Sequence, residues 1–158
     1  MSGFVRILAV LVVIAAIGIF SVSGHFNSAP RYEESAKAAW SEVQNQYQRR
    51  ADLIPNLVET VKGYAKQEKD VLTAVVEARA KATQITVDAS LVNDPQRFKQ
   101  FQDAQQQISG ALGRLLAVTE NYPDLKSNQN FLALQSQLEG TENRITVARR
   151  DYIQAVQV

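Results

Sequence analysis

The chain has 158 residues, with 17 basic and 16 acidic side chains, one histidine and no cysteine. That length holds one domain and an added segment rather than two domains, and a 46% hydrophobic share supplies a core. The lack of Cys excludes disulfides and thiolate chemistry, and a formal net charge of +1 argues against a nucleic-acid surface, which needs a basic excess on one face.

Ile7 to Phe20 is a run of 14 residues without a polar side chain. A membrane-spanning helix takes roughly 20 residues. Residues 1–24 therefore read as a single transmembrane anchor, with Ile7, Leu11, Ile14 and Phe20 in its apolar body and Arg6 snorkelling at its start. The rival reading is a cleaved signal peptide, with Ser21-Val22-Ser23 as the small-x-small site. Arg6 and the amino terminus favour a cytoplasmic N-terminus, although Arg31 and Lys37 dilute that bias. The balance leans towards a single-pass membrane protein with its domain outside the cytoplasm.

Residues 25–158 read as a helical bundle. Gly24 to Ala29 is a polar connector in which Asn27 or Ser28 can cap a helix carrying Pro30 in its first turn. The first helix is expected from about Pro30 to Asp52, with Ala36, Trp40, Val43, Tyr47 and Ile54 as its apolar stripe and a gap at Arg50. Pro55 cannot donate to a helix ladder and disfavours the α region at Ile54, so Asp52, Pro55 and Asn56 read as the corner between two helices. The second helix is expected from about Pro55 to the Ile85 region, with Leu57, Val61, Tyr64, Val71, Val75, Ala78, Ala82 and Ile85 on its stripe and Glu68 at the missing step.

Ala89 to Pro95 is a loop by its turn residues, and Asn93 or Asp94 caps a third helix from about Pro95 to Asn121. Its stripe is Phe98, Phe101, Ile108, Leu112 and Leu115, with Gln105 at a seam position. The fourth helix starts near Asp124 or Ser127. There Phe131, Leu134, Leu138, Thr141, Ile145, Ala148 and Tyr152 alternate steps of three and four, a heptad seam of the kind that packs long helices at about 20°. Together with Trp40, these positions are the candidate core or assembly seam. The fold class expected is all-α, an elongated antiparallel four-helix bundle behind the anchor.

Chemistry-bearing groups are sparse. His25 is solitary, so it reads as an interfacial polar residue rather than a ligand. The sequence has no Gly-rich phosphate loop, Ser/His/Asp set or metal-ligand spacing, so neither catalytic residues nor a cofactor or metal are expected. Arg50, Glu68 and Gln105 fall on apolar stripes. Either each slips in register to reach solvent, or they form a buried polar layer that fixes helix register. The pairs Arg49-Arg50 and Arg149-Arg150 suit solvated faces better than a lipid-headgroup site. Gly110 and Gly113 suit either a notch for a neighbouring helix or a contact with another protomer.

Three stretches carry a resemblance: Ala39-Trp40-Ser41, the run Arg49 to Ala65, and Tyr122-Pro123-Asp124-Leu125-Lys126 continuing through Asn128-Gln129-Asn130-Phe131-Leu132-Ala133-Leu134-Gln135 and Arg144 to Tyr152. The chain from about Phe26 to Val158 resembles the LemA family. Gln67 departs from it where many members carry His, and the chain stops where relatives usually continue, which suggests a shortened C-terminus. The resemblance implies a retained N-terminal anchor, an antiparallel bundle and a role at the bacterial envelope. Some members are associated with building internal membrane compartments.

The leading expectation is a non-enzymatic scaffold whose partners are the lipid bilayer and further copies of itself, with no nucleic acid. An adaptor binding a membrane protease or signalling protein is the alternative. A carboxylate enzyme built on Glu68 is the third reading.

Overall fold

Pro55 does not end a helix. In the computed structural model, which describes residues 12–14, 29–88 and 90–157, helix α1 runs from Ala29 to Tyr64 straight through Pro55. The ring leaves the Ala51 carbonyl without its usual N–H four residues on. Arg79, from the next helix, fills that vacancy: its Nε donates to the Ala51 oxygen at 2.7 Å. Pro55 itself is exposed, while Ala51, Ile54, Leu57, Val58 and Val61 keep the apolar face continuous. The corner expected at Asp52, Pro55 and Asn56 is therefore corrected: all three stand mid-helix on the solvent side.

The chain turns later, at Ala65–Glu68, with the Glu68 N–H bonded to the Ala65 carbonyl at 3.1 Å. Helix α2 then spans Lys69–Thr83. It is shorter than its apolar stripe predicted. At Gln84–Asp88 and Ser90–Asp94 the backbone is irregular apart from a 3-10 turn at Leu91–Asn93. Asp94 caps helix α3, Pro95–Thr119, accepting from the Gln96 and Arg97 N–H groups at 3.0 Å each. A single turn, α4 (Pro123–Lys126), closes the end of the bundle with the fully buried Leu125. Asn128 then caps helix α5, Gln129–Val156, by accepting from the Phe131 N–H at 3.0 Å.

The order is antiparallel throughout. At one end, the Asn128 side-chain amide donates to the Tyr64 hydroxyl at 2.9 Å, and the Tyr122 hydroxyl donates to Glu68 Oε1 at 2.9 Å. At the other end, Trp40 meets Tyr152 with ring centroids 5.1 Å apart. Helix α1 packs along α5, and α2 along α3. With 36 residues, α1 is about 54 Å long, so the bundle is elongated. All-helical architecture is shown, and no strand occurs among the described residues.

Two apolar clusters form the core. One gathers Ile54, Leu57, Val61, Leu72, Val75, Ile108, Leu115, Leu125, Phe131, Leu134 and Leu138 between all four long helices. The other gathers Trp40, Val43, Tyr47, Leu91, Phe101, Ile145 and Ala148. In this second half α2 has already ended, and the segment after it takes the fourth position. It is pinned there by the Trp40 indole N–H, which donates to the Asp88 carbonyl at 3.2 Å, and by the Gln44 amide on the Val87 carbonyl.

The anchor positions Ile7, Leu11 and Phe20 lie outside the described residues, as do His25, Asn27, Ser28 and the expected boundary at 24/25. Val12, Val13 and Ile14 are helical and exposed. Among the described residues no helix is long and apolar enough to cross a membrane.

Candidate functional site

Arg50 is the largest side chain buried almost completely, at 2% exposure. It occupies the gap in the α1 stripe, between Tyr47 and Ile54, and so lies where the two apolar clusters meet. A guanidinium there must be satisfied locally, because removing it from water costs several kcal/mol. Its Nη1 donates to Glu142 Oε1 at 2.7 Å and to Ser109 Oγ at 3.0 Å. Its Nη2 donates to the Gln105 carbonyl at 3.3 Å and to the Gln105 side-chain oxygen. The guanidinium carbon also lies 5.2 Å from the centroid of the Tyr47 ring, within cation–π range.

Three helices thus meet on one cation: α1 through Arg50, α3 through Gln105 and Ser109, and α5 through Glu142. The Arg50 Nε and the Gln46 Oε1 remain buried without a partner among the described residues. Glu142 is 41% exposed, so its charge is half in water and its desolvation is modest.

Beside this layer, a cleft of about 400 Å³ opens between α1, α3 and α5. Gln102, Gln106, Thr146 and Arg149 line its mouth, and Tyr47, Arg50 and Ile145 its floor. Burial raises the Tyr47 phenol above its ordinary pKa. The nearby Arg149 and Arg50 cations oppose that rise, and the Glu142 carboxylate adds to it. The cleft holds no thiol and no imidazole, and its one buried cation is fixed by four hydrogen bonds. Arginine does not exchange a proton near neutral pH. The arrangement is suited to holding helix register.

The structure divides the candidate layer. Arg50 and Gln105 meet, but Glu68 is corrected: it stands half-buried at the N-terminal edge of α2, near the opposite end of α1 from Trp40. The turn at residues 65–68 breaks the stripe that placed it with Arg50. Its partner is the Tyr122 hydroxyl, and that hydrogen bond raises the Tyr122 phenol above its ordinary pKa. Glu68 does not line the polar cleft.

The seam residues Trp40, Phe131, Leu134, Leu138 and Ile145 are buried inside the protomer, with Tyr152 half-buried. Gly110 and Gly113 are exposed, and a Cβ at either would meet nothing within 4 Å. The chain therefore contains no helix-packing notch at these two positions. Ser109, Glu142 and Arg79 were not singled out from sequence. A signal for Glu142 exists, since it neighbours the polar seam residue Thr141 and carries the charge Arg50 requires. Arg79 has none, because any long donor on α2 could serve the Ala51 carbonyl.

An elongated antiparallel helical bundle locked by a buried arginine layer defines a structural class in which the described residues assemble no group of three or more His, Cys, Asp or Glu side chains able to hold a metal. The family model for the LemA family matches residues 39–158, and the chain belongs to that family. It is 27% identical over 153 residues to Protein LemA of Metamycoplasma hominis, covering 96% of this chain and 66% of that one. It is 25% identical over 162 residues to Magnetosome protein MamQ 2 of Paramagnetospirillum magneticum, covering 92% of this chain and 59% of that one. A MamQ of Magnetospirillum gryphiswaldense is 24% identical over 161 residues, with the same coverage. The chain thus spans about three fifths to two thirds of the length of these relatives.

Proposed function

We propose that the protein is a non-enzymatic scaffold, held at a bacterial membrane by its N-terminal apolar segment, whose rigid rods associate side by side to organise an envelope or internal bilayer. One observation carries this reading. Similarity to the Metamycoplasma LemA protein covers 96% of the chain, which takes in most of the run from Ile7 to Phe20, so the apolar segment and the bundle are matched as one unit. Two further points support it. The magnetosome proteins match 92% of the chain, and the buried layer joining α1, α3 and α5 stiffens the rod without providing a proton-transfer pair.

Because the heptad seam of α5 is consumed inside the protomer, association uses outer faces. The exposed α3 face bearing Gly110 and Gly113, where an added Cβ would meet nothing within 4 Å, leaves room for a neighbouring backbone. The test is the mass and shape of the full-length protein extracted with its native lipids, by light scattering and electron microscopy. Large regular particles are expected. A lone protomer at all concentrations would overturn the scaffold in favour of the adaptor, which binds a membrane protease or signalling partner as a monomer or dimer.

A further inference from the structure

The turn end of the bundle carries a cleft that lies apart from the arginine layer and opens over the edge of the core. It sits between α1 and α2, on the outer face, with a volume of about 580 Å³. Its lining includes Val58, Leu72 and Val76, and three lysines, Lys62, Lys66 and Lys69, from the two sides of the turn. Val76 is 50% exposed. Glu59 is the one acid in the lining, and it is already matched by Lys62 at 3.5 Å. Lys66 and Lys69 are exposed, with no ion-pair partner among the described residues.

We propose that this lysine-rimmed cleft binds the surface of an anionic bilayer, the lysines meeting lipid phosphates while the exposed Val76, with the outer edges of the core residues Val58 and Leu72, meets acyl chain. Charge complementarity selects this occupant: two uncompensated cations converge on a pocket whose accessible walls are largely apolar, which matches a negatively charged amphiphile. An anionic membrane presents that chemistry as an extended surface, and each basic side chain near it strengthens attachment roughly fivefold. An aliphatic floor supplies the second of the two signals that stable attachment requires.

The position adds a consequence, which rests on the scaffold reading. Lys62 lies 33 residues beyond Ala29 on one unbroken helix, about 50 Å along its axis. A rod held at its amino end therefore carries the cleft to a second bilayer, and the protein bridges two membranes.

The experiment reconstitutes the full chain in neutral phosphatidylcholine vesicles. These are mixed with acceptor vesicles of either phosphatidylcholine or a phosphatidylglycerol–phosphatidylcholine mixture, and vesicle tethering is read by two-colour fluorescence cross-correlation. Tethering of anionic acceptors only is expected. The exposed double substitution Lys66→Glu and Lys69→Glu should reduce it by at least about tenfold, and Val76→Asp should reduce it at unchanged net lysine count. Arg114→Glu, an exposed charge reversal on α3, should leave it intact. Circular dichroism of each variant checks the helical fold.

Equal tethering of neutral acceptors, or indifference to the lysine reversal, overturns the cleft. Crosslinking in the same vesicles reports self-association separately. Assemblies that ignore acceptor charge sink the bridge and spare the scaffold. Single protomers that still bind anionic acceptors sink the scaffold and spare the cleft.

Discussion

The two halves of the rod solve the same packing problem differently. The half nearer Tyr64 is closed by four helices, and its core is aliphatic, with Phe131 the one aromatic among its fully packed residues. The half nearer Trp40 has three helices, because α2 stops at Thr83. Its core is richer in aromatics: Trp40, Tyr47 and Phe101 are buried beside four aliphatic side chains, Trp40 lies 6.3 Å from the half-buried Phe98, and Tyr47 packs edge-on to Phe101 at 5.0 Å. Large rings fill the volume that a missing helix leaves, and an irregular segment covers them. The difference teaches that helix length sets residue choice. Regular helices can be packed with Leu, Val and Ala, whereas a loop-covered core needs wide side chains with polar tips to hold the covering backbone. Trp40 does both, packing its ring and binding the Asp88 carbonyl.

Arg50 divides these halves, so the largest expected effect comes from stranding it. Glu142→Ala should cost about 3 kcal/mol, the low end for a broken buried pair because Glu142 is partly exposed. Adding Arg50→Met should recover most of that loss, since an apolar side chain of similar length needs no partner. Urea denaturation of the full chain in detergent measures both. A negligible loss in the single variant would mean the layer does not couple the halves.

The next effect lies wholly within the four-helix half. Arg79→Ala should cost about 2 kcal/mol by leaving the Ala51 carbonyl without a donor. In a Pro55→Ala background, where the backbone N–H returns, the loss should shrink by at least half. A double-mutant cycle reads this coupling, and additive costs would show that Arg79 acts elsewhere.

Smaller still, Gly110→Ala and Gly113→Ala should each stabilise the isolated protomer by about 0.5–1 kcal/mol. A cost to assembly alongside that gain would place the protomer contact on this face.

The smallest effect is confined to the loop-covered half. Asp88 holds its turn by accepting from the Ser90 hydroxyl at 2.6 Å, the Ser90 N–H at 2.9 Å and the Leu91 N–H at 3.0 Å. The Ser90 hydroxyl bond lowers its pKa most; burial, the next-largest influence, opposes it, and the Ser90 and Leu91 backbone bonds and the nearby Arg97 add smaller downward effects. A depressed folded-state pKa means that the contribution is present above the ordinary aspartate range and is lost as pH falls through the lowered value. Fluorescence of Trp40, the single tryptophan, should change in acid before helicity is lost. Asp88→Asn should abolish that early step while leaving global stability nearly unchanged.

Much of this was legible in sequence, and the failures share one cause. The α5 seam was readable because its apolar period is unbroken, and the α3 start because Asp94-Pro95 is a cap followed by a fixed φ. The LemA resemblance was readable because long runs match in order, and the family model bears it out. Arg50 was visible as a gap in a stripe. What misled were local rules overridden by tertiary contacts. Pro55 signals a break only until Arg79 supplies the missing donor. The true turn at residues 65–68 has no proline, so the stripe appeared to continue and carried Glu68 into the wrong layer. The early end of α2 left no strong mark, since Ile85 and Val87 keep packing on the core as irregular backbone.

Residue-resolved hydrogen exchange of the full-length chain tests the division into halves most directly. The amides of α1 from Ile54 to Val61 should exchange only through global unfolding, while those from Trp40 to Tyr47 should exchange through a cheaper opening of the loop-covered half. Glu142→Ala should widen that gap. Uniform protection along α1, unchanged by the substitution, would contradict the account and make the rod a single cooperative unit.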